Sequence, residues 1–308
     1  MADAVLQTAA PAAARAPRRR MSMAGVAAVL SAPALFLMFV FLIGPLLCVL
    51  LLSFTDYQLG AAGLRFVGLT NYAEMFGDPV FVKSLRNTLV YVAVTVPASV
   101  ALGLGLAMLI EADAGLKTFY RAVFFLPVMA TLIAMAIVWE FMLHPQLGLV
   151  NNVLRALGLG APDWLHDRTL VLYTLCAIGV WQSLGFNMIL FMAGLTSIPR
   201  EIYEAAEVDG AYRPIDRFRT VTWPMLGPVT LFTVVISAIR AFQVFDTVAV
   251  LTEGGPNKAS EVLLYTVYSE GFMFFRSGYA SAVTIIFLAF VLILSAIKLF
   301  ALDRKVHY

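Results

Sequence analysis

The residues best placed to do chemistry in this sequence are charged side chains inside long apolar segments. Arg240 lies about midway along one such segment, and Asp246 follows six residues later. On a continuous α-helix this spacing separates two side chains by roughly 120° around the axis and about 9 Å along it, so we expect no pairing between them. An unpaired charge in a bilayer is costly. We therefore expect Arg240 to face a water-filled cavity, a partner subunit, a substrate or an acidic residue of another helix.

The motifs of common catalytic sites are missing from the sequence. It contains no G-x-x-x-x-G-K-[ST] phosphate loop, no H-E-x-x-H, no G-x-S-x-G and no C-x-x-C. The three histidines, His144, His166 and His307, lie in predicted loops or at the end of the chain. We therefore expect no metal, no cofactor and no enzymatic activity, and a membrane-embedded enzyme is the least favoured alternative.

The composition is that of a membrane protein. Of 308 residues, 61% are hydrophobic and 13% are charged, whereas soluble domains have about 45–50% apolar and about 25% charged residues. The net charge of +2 is too small to indicate a nucleic-acid partner.

Six segments are long enough, or nearly long enough, to cross a bilayer, which takes about 20 apolar residues. They cover residues 25–53, 87–110, 121–143, 169–196, 222–247 and 277–299. Their uninterrupted apolarity excludes a β-barrel, whose strands alternate in polarity. The predicted fold is an all-α polytopic membrane protein with six transmembrane helices in one domain, residues 21–308.

Lysine and arginine counts give the orientation. With the N-terminus in the cytoplasm, the cytoplasmic segments hold thirteen of these residues and the outer segments hold seven. Both termini are therefore predicted to be cytoplasmic, and residues 1–20 are expected to form a mobile basic tail. In the second outer loop, Leu147, Val150, Leu154 and Leu157 recur at helical spacing, which predicts a short helix along the outer surface.

The loop between the fourth and fifth predicted spans, residues 198–224, has the clearest local pattern. A charged helix is expected after Pro199, a turn at Asp209-Gly210 and a second segment that ends at Pro224. Small alanines on the helix allow another surface to approach closely, while Glu204 and Glu207 provide anchoring charges. An ordinary solvated hairpin explains the same residues equally well.

Glu204-Ala205-Ala206-x-x-Asp209-Gly210-Ala211, followed by Val221-x-x-Pro224, resembles the EAA loop of ABC importer permeases. Leu251-Thr252-Glu253-Gly254-Gly255-Pro256 and Gly278-Tyr279-Ala280-Ser281-Ala282 are similar to the first permease of maltose-type and glycerol-3-phosphate-type carbohydrate importers. The resemblance extends from about residue 30 to residue 300. One departure is visible, because ten residues rather than the usual nine separate Gly210 from Val221.

The resemblance implies a permease of the bacterial inner membrane that pairs with a second permease subunit as a heterodimer. Its other partners would be two cytoplasmic ATPase subunits and an extracytoplasmic binding protein that delivers substrate at the loops around Gly148 and Gly255. The residues it implies for ATPase coupling are Glu204, Ala205, Ala206, Asp209, Gly210 and Ala211.

The resemblance also implies a substrate pathway on the fourth and fifth predicted spans. The residues of this chain that align with that pathway are Trp181, Gln182, Ser183, Phe186, Arg240, Ala241, Gln243 and Val244. Aromatic faces suit the C–H surface of a sugar, and the polar side chains suit hydroxyl or acidic groups, although Trp181 and Phe186 could equally be packing residues. Relatives that carry neutral maltose have no cation at the position of Arg240, so an acidic or phosphorylated sugar is a candidate.

The function implied is ATP-driven import of a sugar-like solute by alternating access. The alternative is a stand-alone secondary carrier or channel for a polar solute. Carriers often show an internal repeat and intramembrane carboxylates for ion coupling. The sequence shows no convincing repeat and few such carboxylates, which favours the importer.

Overall fold

The computed structural model describes residues 23–112 and 115–305, and these ranges are all-α. They contain no β-strand, and only an isolated antiparallel bridge joins Thr55 to Phe66. The predicted all-α fold is therefore confirmed. The predicted tail, residues 1–20, lies outside the described residues.

Most of the helices are separated by short turns. In chain order they are α1 (Met23–Met38), α2 (Gly44–Leu52), α3 (Thr70–Gly77), α4 (Pro79–Ala112), α5 (Lys117–Met129), α6 (Leu132–Met142), α7 (Leu149–Ala156), α8 (Val171–Thr196), α9 (Arg200–Val208), α10 (Pro214–Arg217), α11 (Trp223–Met225), α12 (Gly227–Phe242), α13 (Asp246–Leu251), α14 (Leu263–Tyr268) and α15 (Ser277–Lys305). Single π-helical turns occupy Phe39–Ile43, Phe218–Thr222 and Ser269–Met273.

Five helical segments of the described chain are long and apolar enough to cross a membrane. They are Ala27–Leu52, Pro79–Ala112, Val171–Thr196, Gly227–Leu251 and Ser277–Ala296. The predicted third span, residues 121–143, instead falls on α5 and α6, which are bent by 100° at the break between them. Ala130 and Thr131 are extended there, so α5 and α6 form either a broken span or a re-entrant loop rather than a straight helix. The orientation of the termini stays a prediction.

The chain divides into two compact units, residues 1–48 and 49–308. In the first unit, all described side chains from residue 27 to residue 42 are exposed. This segment is apolar on every side, as a helix in contact with lipid must be.

In the second unit, α4 and α8 pack at unusually short distance. A Cβ atom on Gly103 of α4 would lie 2.8 Å from the Asn187 Cβ of α8. A Cβ atom on Gly179 of α8 would lie 2.1 Å from the Tyr91 hydroxyl of α4. Small residues allow this close approach, which is a main source of helix association in membranes.

A buried polar triad joins α4, α8 and α12. The Asn187 side-chain N–H donates to Ser99 Oγ at 3.1 Å, and Ser237 Oγ donates to Asn187 Oδ1 at 2.9 Å. All three side chains are buried. Such contacts in membranes contribute about 0.6 kcal/mol each, with values up to about 1.7 kcal/mol, and they fix how the three helices are aligned.

The loop at residues 252–261 is held against the N-terminal end of α4. The Asn87 side chain donates to the carbonyls of Lys258, Ala259 and Glu261 at 3.2, 3.2 and 2.9 Å. The fully buried Glu261 carboxylate pairs with Lys258 at 3.2 Å and accepts a hydrogen bond from Thr266. This loop is therefore a fixed part of the helix bundle.

The predicted outer-surface helix forms at α7. Its buried Asn151 donates to the carbonyls of Pro145 and Pro162 and accepts a hydrogen bond from Trp164 Nε1 at 2.7 Å. Leu149 and Val153 of α7 are exposed. Asn151 thus fixes the helix to the rest of its own loop, while apolar side chains of the helix remain exposed.

The glycine contacts between α4 and α8 give a first test. Gly103→Ala should force the two helices apart, because the added Cβ meets the Asn187 side chain and the Met188 backbone nitrogen at 3.1 Å. We expect a destabilisation of about 1–3 kcal/mol, measured as a lower thermal unfolding midpoint in detergent. Gly105→Ala is the matched control, since nothing lies within 4 Å of its added Cβ. Equal midpoints for the two variants would contradict this packing.

A second test addresses orientation. In a Cys48→Ser background, the variants Val208→Cys and Leu147→Cys each introduce one reactive thiol, at positions where the native side chains are 85% and 79% exposed. The remaining native cysteine, Cys176, is buried. A membrane-impermeant maleimide should label position 147 in intact cells, but position 208 only after permeabilisation. Labelling of position 208 in intact cells would reverse the predicted topology.

Candidate functional site

The fifth span is broken where the candidate site lies. Helix α12 ends at Phe242 and α13 begins at Asp246, with Phe245 far from helical geometry (φ −145°, ψ −59°). The Phe245 ring contacts those of Tyr265 and Tyr268 at centroid distances of 6.3 and 5.3 Å. The prediction that a continuous helix joins Arg240 to Asp246 is therefore wrong.

A cavity of about 110 Å³ lies at this break, between α4, α8 and the two halves of the fifth span. Its lining residues are Tyr91, Thr95, Gly179, Gln182, Ser183, Arg240, Ala241, Gln243, Val244, Phe245, Asp246 and Thr247. Six of the eight predicted pathway residues are among them. The break also brings Arg240 and Asp246 to the same cavity, which the spacing on a continuous helix did not predict.

The two predicted aromatic residues lie outside this lining. Trp181 packs edge-on against Trp139 of α6, with ring centroids 5.3 Å apart and an interplanar angle of 83°. Phe186 contacts a residue that lines the cavity, since the Arg240 Cζ atom is 4.7 Å from the centre of its ring. Trp181 thus makes a packing contact with Trp139, whereas Phe186 contacts Arg240, and a pathway role for either residue stays a prediction.

Two residues of α4 belong to the site although the sequence analysis did not select them. Tyr91 and Thr95 are buried one helical turn apart and face the cavity together. The Thr95 hydroxyl makes no hydrogen bond of good geometry within the described part of the chain, although the Tyr91 hydroxyl and the Cys176 thiol lie close to it. The sequence held one indication of this, because the two polar side chains lie four residues apart inside a predicted span. Only the packing of α4 on α8 shows that both of them face the cavity.

Arg240 is exposed at the open side of the cavity. It occupies the last turn of α12, where the helix dipole favours a cation. Among the described residues it forms no ion pair, so Asp246 does not neutralise it although both line one cavity. The contact with Phe186 is a cation–π interaction, which does not consume the N–H donors of the guanidinium.

The predicted coupling loop contains a complete helix C-cap. Helix α9 starts after the extended Pro199 and ends in a Schellman motif around Gly210, whose φ is +96°. The Ala211 N–H donates to the Ala206 carbonyl at 2.9 Å, and the Gly210 N–H donates to the Glu207 carbonyl at 3.0 Å. Glycine suits this position because other residues rarely adopt a positive φ.

One face of α9 is used for internal contacts. Tyr203 Oη is 3.0 Å from Thr222 Oγ1, and Glu207 pairs with Arg217. Arg217 Nε also donates to the Ala211 carbonyl at 3.2 Å. Glu207 is therefore part of the loop's own structure rather than a free anchoring charge.

The opposite face of α9 is exposed. It carries Glu204, Ala205 and Val208, and the side chain of Val208 is 85% exposed. Within the described residues, Glu204 forms one ion pair, with Arg200 one turn away at 3.5 Å, and both side chains are largely solvated. Such a pair contributes little to stability, which leaves the Glu204 carboxylate available to a partner.

The remaining predicted coupling residues fit these two faces. Asp209 is exposed at the C-cap of α9, and Ala211 is buried beneath the turn. Further along, the π-helical turn Phe218–Thr222 holds one residue more than an α-helical turn.

Comparison with known proteins identifies the class. Residues 97–308 match the family of inner membrane components of binding-protein-dependent transport systems. The chain belongs to this family and is an inner-membrane permease of the ABC transporter type, as the sequence resemblance indicated.

Two curated relatives and one solved structure illustrate the likeness. The lactose transport system permease LacF of Rhizobium radiobacter is 37% identical over 280 residues, which cover 89% of this chain and 93% of LacF. The sn-glycerol-3-phosphate transport system permease UgpA of Agrobacterium fabrum is 34% identical over 249 residues, covering 79% and 83%. A bacterial ABC transporter that imports the acidic polysaccharide alginate shares the fold, with a TM-score of 0.78, 22% identity and coverage of 92% and 96%.

The unsatisfied hydroxyl of Thr95 provides a test of the cavity. Thr95→Val keeps the side-chain shape and removes a buried hydroxyl without a partner, so the thermal unfolding midpoint should stay equal or rise. If the hydroxyl binds cargo, half-maximal uptake should need a severalfold higher cargo concentration.

Thr230→Val is the matched control, because Thr230 Oγ1 is also buried without a partner but does not line the cavity. Normal uptake by Thr95→Val, or an equal defect in Thr230→Val, would remove Thr95 from the site.

Proposed function

We propose that this chain is one of two permease subunits of an ATP-driven importer for a sugar-like solute. It forms half of the translocation pathway, alternates between outward and inward access, and couples to a separate ATPase through α9. The main support is the construction of the coupling loop. One face of α9 is fixed to the permease by Tyr203 and Glu207, while the other presents Glu204 to a partner.

The loop is connected to both helices that supply the predicted pathway residues. Helix α8 ends at Thr196, four residues before α9. On the other side, the Tyr203–Thr222 contact joins α9 to the segment that leads into α12. Leu226, just before α12, is fully buried. A displacement of α9 would thus reach α8 and α12 together, which is the coupling that alternating access requires.

The shape of the cavity supports pairing with a second permease subunit, which the proposal takes to be a different chain. Gln243 and Arg240 are exposed at its edge, so this chain encloses the site on one side only. A site that binds a small molecule buries most of the ligand surface. A second permease subunit would provide the missing wall.

The cargo class follows from the lining and from the relatives. The cavity combines amide and hydroxyl side chains, Gln182, Ser183 and Gln243, which both donate and accept hydrogen bonds. LacF and UgpA are named for transport of lactose and of sn-glycerol-3-phosphate. Both molecules carry several hydroxyl groups, which such side chains suit.

The outer surface supports delivery by a binding protein. The loop at residues 252–261 is held rigidly by Asn87 and Glu261, and Glu253 and Asn257 are exposed on it. A preorganised loop loses little entropy on docking. The solved alginate transporter, described as a complex with its periplasmic protein, supports the same arrangement for this chain.

A stand-alone carrier is the weaker alternative. Asp246 lines the cavity and pairs with no cation among the residues that the structure describes, and a secondary carrier would use such a carboxylate to couple an ion. Membership of a binding-protein-dependent transport family favours the importer.

Charge reversal on α9 tests the coupling. Glu204→Lys should remove most cargo-stimulated ATP hydrolysis in the purified complex, while the subunit still inserts, because a charge pair broken inside an interface costs about 2–5 kcal/mol. Asp216→Lys is the control, since Asp216 lies in the same loop but outside the exposed face of α9. Normal stimulation in Glu204→Lys, or an equal loss in both variants, would contradict the docking role.

A further inference from the structure

We infer that the cargo carries one anionic group, bound by Arg240, together with hydroxyl groups that bind Asp246 and the neighbouring amides. This inference rests on the proposed function, because it assigns a chemical class to the cargo of the same cavity. The class is a polyol with a single carboxylate or phosphate, such as a sugar acid or a sugar phosphate.

The guanidinium of Arg240 is positioned but not neutralised. Its Cζ atom lies 4.7 Å from the centre of the Phe186 ring, and none of the described carboxylates comes within ion-pair distance. Phe186 therefore restrains the guanidinium while leaving its N–H groups available. Arginine binds carboxylate or phosphate through two parallel hydrogen bonds, which is its strongest mode of recognition.

Asp246 gives the cavity a second, separate charge. It lines the same cavity as Arg240, yet every nitrogen–oxygen distance between the two side chains is longer than the 4.0 Å limit of an ion pair. The two charges therefore do not neutralise each other, and both remain available to a ligand in the cavity. An ionised carboxylate only accepts hydrogen bonds, so its natural ligand here is a hydroxyl group.

A neutral sugar fits this arrangement less well. When the second permease closes the cavity, Arg240 loses the water bound to it. A neutral ligand then offers only uncharged hydrogen-bond acceptors in place of that water. Hydrogen bonds to charged partners are stronger than those between neutral groups, and an uncompensated buried charge is costly. An anionic cargo removes this cost, whereas Gln182, Ser183 and Gln243 would serve either kind of sugar.

The competing explanation is a structural one. Arg240 is exposed in the isolated chain, so an acidic residue of the second permease could pair with it across the subunit interface. Arg240 would then hold the two permeases together, and the cargo could be neutral. The two explanations differ in what happens to ligand preference when the charge is removed.

The test uses the complete purified complex, with both permeases and both ATPase subunits, and without the binding protein. Three probes are titrated, namely galacturonate, galactose 6-phosphate and galactose, and apparent affinity is read from the rise in the thermal unfolding midpoint with probe concentration. We expect at least one anionic probe to bind at least tenfold more tightly than galactose. Whichever anionic probe binds more tightly identifies carboxylate or phosphate as the preferred group.

Arg240→Gln should reduce this preference at least tenfold, and Arg240→Lys should keep part of it, because it keeps the charge but not the paired N–H geometry. Gln182→Ala should weaken all three probes alike and serves as the control for general damage to the cavity. Equal binding of galactose and both anions by the unmodified complex would overturn the inference.

Retention of the anion preference in Arg240→Gln would overturn it as well. So would loss of assembly in both Arg240 variants that is restored by exchanging charges with an acidic residue of the second permease. Failure of the proposed function would look different, since uptake would then continue without ATP whatever the ligand preference.

Discussion

The close contact between α4 and α8 is the constraint on which the rest of this structure depends. In lipid the helices gain little from burying apolar surface against one another, so they associate through close packing and polar contacts. Gly103 and Gly179 allow that packing, and Asn187 extends it to α12 by bonding Ser99 and Ser237 at once. The three helices therefore form one block, with the candidate cavity along its side.

Within this block, the fixed and the interrupted parts of the fifth span have different roles. Ser237 anchors α12 to Asn187, and only one turn later the helix carries Arg240 and then ends at Phe242. The break frees backbone groups that would otherwise be locked into a helix, and irregular backbone inside a membrane is tolerated only where protein or a water-filled cavity surrounds it. The helix break, the cavity beside it and the charged side chains that line the cavity thus form a single site.

Patterns within single segments could be predicted from the sequence, while features that arise between segments could not. Apolar length located the spans, and the Glu-Ala-Ala and Asp-Gly pattern located α9 and its turn. The bend between α5 and α6 escaped prediction because residues 121–143 read as one apolar stretch. The break after Phe242 escaped it because Gln243-Val244-Phe245 contains neither glycine nor proline, and Phe245 leaves the helix to pack among tyrosines. Tyr91 and Thr95 were missed because only tertiary packing turns them toward Gln182 and Ser183.

The energy source of transport tests the central claim most directly. Right-side-out membrane vesicles that carry the complete complex can be loaded with ATP or with a non-hydrolysable analogue, and uptake of the solute held by the system's own binding protein can be followed with and without ionophores. The account predicts uptake only with ATP inside and binding protein outside, unchanged when ionophores abolish the ion gradients. Uptake that continues with the analogue and stops when the gradients collapse would show a secondary carrier and contradict it.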